Sequence, residues 1–146
     1  MRILALILTF SLGACATLQQ SSVPLQPSVT KFNDHLRWKR YDLAARLISP
    51  EQQATFYEEL SDTEDVLDIQ NIEVRHVSIL HTEPLRARVL VRSESTTLPS
   101  TIVKTLSQTQ IWERRPQGWI LMDTEPSWFP NATPRDPLVQ IAPTPN

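Results

Sequence analysis

The sequence predicts an α+β domain in which two N-terminal helices pack on an antiparallel sheet of three to four strands. Three observations carry this. Apolar residues recur at helical spacing over residues 30–48 and again after Pro50. From Val66 the apolar period shortens to two, the mark of strands. Finally, Arg115-Pro116-Gln117-Gly118 sits between the last two alternating runs as a hairpin turn with glycine at its end.

In the first helix, Phe32, Leu36, Leu43 and Leu47 share one face, and Ala44, Ala45 and Ile48 widen it. Ser28 or Thr30 can cap its start. Ser49-Pro50 ends it, because the residue before a proline avoids helical geometry. Pro50 then suits the first position of the second helix, with Ser49 as N-cap and Glu51 and Gln52 in the first turn. That helix is expected to reach about Leu60, turning Ala54 and Tyr57 to the core, with Phe56 and Leu60 as further candidates. Glu58, Glu59, Asp62, Glu64, Asp65 and Asp68 follow as an acidic cluster. It lacks the spacing and the glycine of an EF-hand loop and reads as a solvated helix end.

Leu67, Ile69, Ile72, Val74, Val77 and Ile79 alternate, with one change of phase near Gln70-Asn71. This reads as a strand with a bulge or as two short strands. His81-Thr82-Glu83-Pro84 turns the chain. Residues 85–95 form a strand with Leu85, Ala87, Val89 and Val91 on one face and Arg86, Arg88, Leu90 and Arg92 on the other. Leu98-Pro99-Ser100 interrupts the pattern. Residues 101–114 form a Thr-rich strand, and residues 119–122 form the last one. From Asp123 the chain is rich in proline. Trp128-Phe129 is placed to dock on the domain, and an extended tail is expected beyond about Ala132.

The chain has 146 residues and a net charge of −2, with 2 glycines, 12 prolines and a single cysteine. The length suits one domain with one core. A slightly acidic chain offers no general nucleic-acid surface, and two glycines exclude phosphate-cradling glycine loops. With only Cys15, no internal disulfide can form.

The N-terminus carries an address. Met1-Arg2 is a short positive start, and residues 3–12 are apolar apart from Thr9 and Ser11. About ten such residues suit a signal peptide and fall short of the roughly 20 that span a bilayer. Leu12-Gly13-Ala14-Cys15 resembles the lipobox of bacterial lipoproteins. The resemblance implies cleavage between Ala14 and Cys15, diacylglycerol on the Cys15 sulfur and a further acyl chain on the new amino group. Two or three chains would hold the protein on a membrane, where a single one holds only marginally. Ala16 after the cysteine implies, by the same resemblance, export to the periplasmic face of an outer membrane. The alternative is ordinary secretion through Ala14-Cys15-Ala16 as a cleavage site. The expected organisation is a signal peptide over residues 1–14, lipidated Cys15 with a flexible tether over 15–29, the α+β domain over 30–125 and a Pro-rich tail over 126–146.

The order of elements, together with Leu36-Arg37-Trp38-Lys39-Arg40-Tyr41, Ser49-Pro50-Glu51, Gln110-Ile111-Trp112 and Gly118-Trp119, resembles the NTF2-like and cystatin-like folds. In these a curved sheet wraps the N-terminal helices, and this chain would be a trimmed version. It is also similar in layout to small uncharacterised envelope lipoproteins.

No catalytic constellation is legible. His35, His76 and His81 lack zinc-ligand spacing, so neither a metal nor a cofactor is expected. Some NTF2-like enzymes use a cone between helix and sheet, and by that resemblance Tyr41, Tyr57 and His76 are the candidates to line one. Arg86, Arg88 and Arg92 share a strand face and are the candidates for an anionic partner, against a solvated face paired with Glu73, Glu94 or Glu113. Arg37, Lys39, Arg40 and Arg46 give the first helix a basic face. Trp112 and Trp119 are expected to pack in the core rather than form a sugar or peptide groove. The expected function is therefore a lipid-anchored envelope protein with a small non-catalytic binding or scaffolding domain. Its partners would be the membrane, through the anchor, and another envelope protein. The alternative is a small-ligand binder or enzyme using the cone.

Overall fold

The computed structural model describes residues 24–130, in which three helices precede four strands. These are α1 Leu25–Arg37, α2 Tyr41–Ala45, α3 Pro50–Ser61, β1 Leu67–Leu80, β2 Arg86–Thr97, β3 Lys104–Arg115 and β4 Gly118–Glu125. Each strand pairs antiparallel with the next, so the sheet order is β1-β2-β3-β4. The α+β class holds, with a third helix and the larger of the two expected strand counts.

The single helix expected over residues 30–48 is two. α1 begins at Leu25, inside the stretch read as tether, and Pro24 occupies the N-cap position without a side-chain cap. Pro27 falls in the first turn, where its missing N–H has no helical acceptor to serve. α1 stops at Arg37. The N–H groups of Trp38, Lys39 and Arg40 donate to the carbonyls of Asp34, Leu36 and His35 at 3.0, 3.1 and 2.8 Å. Lys39 takes the left-handed conformation with φ 53°, a place that glycine usually fills. The break resets the helical phase. Leu43, expected beside Phe32 and Leu36, is 38% exposed, while Ala44, Ala45 and Ile48 are buried.

α3 starts as expected, with Ser49 at the N-cap and Pro50 in the first turn. Ser49 makes no side-chain cap, and its buried Oγ has no partner. Its N–H instead donates to the carbonyl of Leu121 at 2.8 Å, and Leu121 N–H donates to Leu47 at 2.8 Å. A short parallel bridge between Ile48 and Leu121 thus ties the α2–α3 junction to β4. Phe56 and Leu60 face the core, and Ala54 and Tyr57 do not. The face was set by residues 126–130. Phe56 meets Trp128 edge-on at 5.8 Å between ring centroids and Phe129 at 5.1 Å.

β1 is one strand with two irregularities in its pairing, between Ile69 and Asn71 as expected and between Val74 and His76. On β2, Ala87, Val89 and Val91 are buried as expected. Leu85 precedes the strand and is exposed. β3 begins at Lys104, leaving Thr101, Ile102 and Val103 in the loop after β2. Gly118 closes the β3–β4 turn at φ 139°, a conformation that side-chain-bearing residues rarely adopt. β4 continues to Glu125, three residues past the expected end.

The domain does not end at residue 125. Ser127, Trp128, Phe129 and Pro130 are buried. Gln108 Nε2 and Thr124 Oγ1 donate to the Ser127 carbonyl at 2.7 and 2.9 Å, and Trp128 N–H donates to Glu59 Oε2 at 2.7 Å. Docking of Trp128-Phe129 was expected; its depth makes the segment part of the core rather than the start of a tail. Cys15, Ala14 and the residues after 130 lie outside the described residues.

Candidate functional site

The three candidate arginines share the outer face of β2, but their charges do not converge. Arg86 is committed to Glu113, which accepts from its Nε at 3.0 Å and its Nη2 at 2.9 Å. Glu113 also takes Nε of Arg115 at 2.6 Å, and it is buried beneath the two guanidinium groups. Arg92 lies 3.6 Å from Glu94. Arg88 stands opposite Ser78 and Ile111. Alternate strand residues are roughly 7 Å apart, so Arg86 and Arg92 are about 20 Å from each other. Two of the three carboxylates weighed as partners, Glu113 and Glu94, take that role, whereas Glu73 pairs with Arg75 at 2.9 Å.

Tyr41 and Tyr57 border one open depression of about 360 Å³ on the helical side, together with Asp42 and Glu64, and His76 is not part of it. Tyr41 is half-buried against Phe129, edge-on at 5.9 Å. Tyr57 is exposed and donates to Asp42 Oδ1 at 3.1 Å. His76 is exposed on the sheet and contacts Ser78 Oγ at 2.9 Å. Partial loss of water raises the proton affinity of both tyrosines, with Glu64 and Asp68 adding to it at Tyr41 and Asp42 at Tyr57. The space between helices and sheet is filled by Val29, Phe32, Leu36, Phe56, Ala87, Val89, Val91, Trp112 and Leu121. Its polar members form a chain from helix to sheet. Gln110 Nε2 donates to Asn33 Oδ1 at 2.7 Å, and Trp112 Nε1 donates to Gln110 Oε1 at 3.2 Å. Trp112 and Trp119 are core residues.

A cluster of exposed apolar side chains lies at one end of the sheet. The loop between β2 and β3 presents Leu98 at 58% exposure and Ile102 at 70%, with Val103 beside them. Leu98 N–H donates to the Val66 carbonyl at 2.8 Å, which places the loop beside the start of β1. Trp38, 61% exposed, borders a depression of about 370 Å³ with Asp68 and Ile69 of that same strand end. Arg37 lies over the Trp38 ring at 5.3 Å, and Lys39 borders the same depression. By sequence Ile102 and Val103 belong to β3, because β-branched residues read as strand. Pro99 and Ser100 were the available sign that the loop extends further.

A second feature escaped the sequence. The turn at residues 38–40 brings Arg40 back beside His35, forming a groove of about 510 Å³ on α1 bordered by Thr30, Lys31, Asp34, His35 and Arg40. His35 is only 9% exposed, and neither ring nitrogen has a hydrogen-bond partner. Burial lowers its pKa below the ordinary 6.5, Lys31 and Arg40 add to the effect, and Asp34 opposes it. Between the lowered folded value and 6.5 the unfolded chain binds more protons. Stability is therefore expected to fall as pH drops through 6.5 and to level off below the folded value. Urea midpoints between about pH 7.5 and 5.5 measure this. The slope should shrink in His35→Gln, and an unchanged slope would assign it to another group.

No described helix is long and apolar enough to cross a membrane. The fold belongs to the class of helices packed on a four-stranded antiparallel meander. No protein-family model and no curated protein matches the chain. Similar solved structures include a protein from Exiguobacterium sibiricum described as a Ca/calmodulin-dependent kinase II association domain. It is 15% identical, with a TM-score of 0.54, over 77% of this chain and 92% of that one. Another is a SEC-C motif containing protein from Rhodopseudomonas palustris, 13% identical, with a TM-score of 0.52, over 63% of this chain and 70% of that one. At these identities the likeness is one of fold.

Proposed function

We propose that this protein is a lipid-anchored envelope protein whose domain binds a partner protein at the membrane surface without catalysing a reaction. The observation that carries the binding role is the exposed apolar loop of Leu98, Ile102 and Val103, since apolar side chains grouped at a surface favour burial against another molecule. The anchor rests on the lipobox resemblance of Leu12-Gly13-Ala14-Cys15, and the periplasmic face of the outer membrane rests on Ala16. In finer detail we read the domain as a trimmed NTF2-like or cystatin-like fold. The likeness to the E. sibiricum protein supports that reading, and the description of that protein as an association domain agrees with a binding role. The alternative, an enzyme or ligand binder using the cone, needs an enclosed pocket where Phe32, Val89 and Trp112 are packed.

Intact mass and membrane fractionation test the anchor. The wild-type chain is expected in membranes, starting at Cys15 and carrying acyl mass, and Cys15→Ser is expected in the soluble fraction. A photo-cross-linker at Ile102 tests the binding surface. It should capture one envelope protein, and a cross-linker at exposed Arg88 on the sheet face should not. Equal capture from both positions would refute the loop as the contact.

A further inference from the structure

The groove on α1 holds a side chain that its own fold does not explain. His35 is buried, yet both of its ring nitrogens lack a partner. A neutral imidazole carries one N–H, and a buried N–H without an acceptor is unfavourable. An apolar residue would fill the same space without that penalty. The two cationic groups facing the ring are donors only and cannot supply that acceptor. Lys31 lies one helical turn before His35 on the same face of α1. Arg40 is held beside it by the turn at residues 38–40, where its N–H donates to the His35 carbonyl at 2.8 Å. Both positive charges act on the ring, and Asp34 is the one carboxylate among the described residues that acts against them. A groove of about 510 Å³ is large enough for a small molecule, not merely an ion.

We propose that this groove binds a phosphate group, clasped by Lys31 and Arg40, with the His35 ring turning to donate a hydrogen bond to a phosphate oxygen. Arg40 offers a planar fork and Lys31 a point charge, a combination suited to an oxyanion with several acceptor atoms. Asp34 borders the same groove and offsets part of the positive charge of Lys31 and Arg40. The phosphate belongs either to a small soluble ligand or to a lipid headgroup, and the chemistry of the groove is the same for both.

The test follows the ring signals of the three histidines by NMR in the full-length protein held in maltoside micelles. One arm adds inorganic phosphate, and the other adds phosphatidylglycerol to the micelles. The expected result is a saturable shift of His35 with a rise in its pKa, while His76 and His81 stay unmoved. In Lys31→Gln/Arg40→Gln, affinity should fall at least about tenfold, through loss of two charge-assisted contacts. Both side chains are exposed, so unchanged amide signals elsewhere would show the variant folded. Saturation by phosphatidylglycerol alone assigns the phosphate to a lipid. Saturation by inorganic phosphate alone assigns it to a soluble ligand, and saturation by both assigns it to the group itself. The proposal is overturned by silence in both arms, by an equal response to sodium chloride at matched ionic strength, or by an unaltered response in the double variant.

Discussion

Trp112→Ala is expected to destabilise the folded protein by about 3–5 kcal/mol, the usual range for truncating a buried aromatic side chain. Trp112 is fully buried on β3. It meets Phe32 of α1 edge-on at 6.0 Å between ring centroids. Across the sheet it lies opposite Ala87 of β2 and Leu121 of β4. Its removal therefore opens a cavity where helix and sheet meet, and the small Ala87 cannot fill it. The truncation also frees Gln110 Oε1, which accepts from the indole N–H and belongs to the chain of bonds reaching Asn33. Domains are stable by only about 5–15 kcal/mol, so such a loss is a large part of the whole. The urea midpoint should fall steeply for Trp112→Ala. Trp38→Ala, at an exposed position, should stay within about 0.5 kcal/mol of wild type. Equal effects at the two tryptophans would mean that Trp112 does not pack between helix and sheet.

Phe129→Ala is the second large effect, again about 3–5 kcal/mol. Phe129 is fully buried and joins α2 to α3, meeting Tyr41 at 5.9 Å and Phe56 at 5.1 Å. Its loss should be felt across the helical layer rather than at the chain end alone. The segment is also fixed by polar contacts, with Ser127 Oγ donating to the Phe129 carbonyl at 2.8 Å and Trp128 N–H donating to Glu59. Phe129→Ala and Phe56→Ala share one contact, so their effects should fall short of additive in a double-mutant cycle. A tail that merely lay on the surface would give a change near zero. Equilibrium unfolding of the single and double variants separates the two pictures.

The site was less legible than the fold. The arginine face of β2 follows from strand alternation, and alternation also sets the partners across the sheet. That Arg86 would be locked to Glu113 depends on the register of β2 against β3, in which those two residues stand opposite each other. His35 read as one helical residue among others. It became a candidate only because Arg40 returns to it through a left-handed turn at Lys39, and no glycine or proline announces that turn. The exposed loop was hidden for the opposite reason. Ile102 and Val103 have strong strand preferences, and local preference yields where pairing ends.

The sequence by itself determined the class of the domain, the start of α3 at Pro50, the burial of Ala87, Val89 and Val91, the change of phase near Gln70 and the turn at Gly118. Each of these is a local matter: a fixed backbone angle at proline, a freed one at glycine, or a period of two along a strand. Only the tertiary structure decided where the first helix breaks, which face of α3 is inward and that residues 126–130 complete the core. Those outcomes are settled by contacts between residues far apart in the chain. Phe56 faces inward because Trp128 and Phe129, more than 70 residues later, are there to receive it.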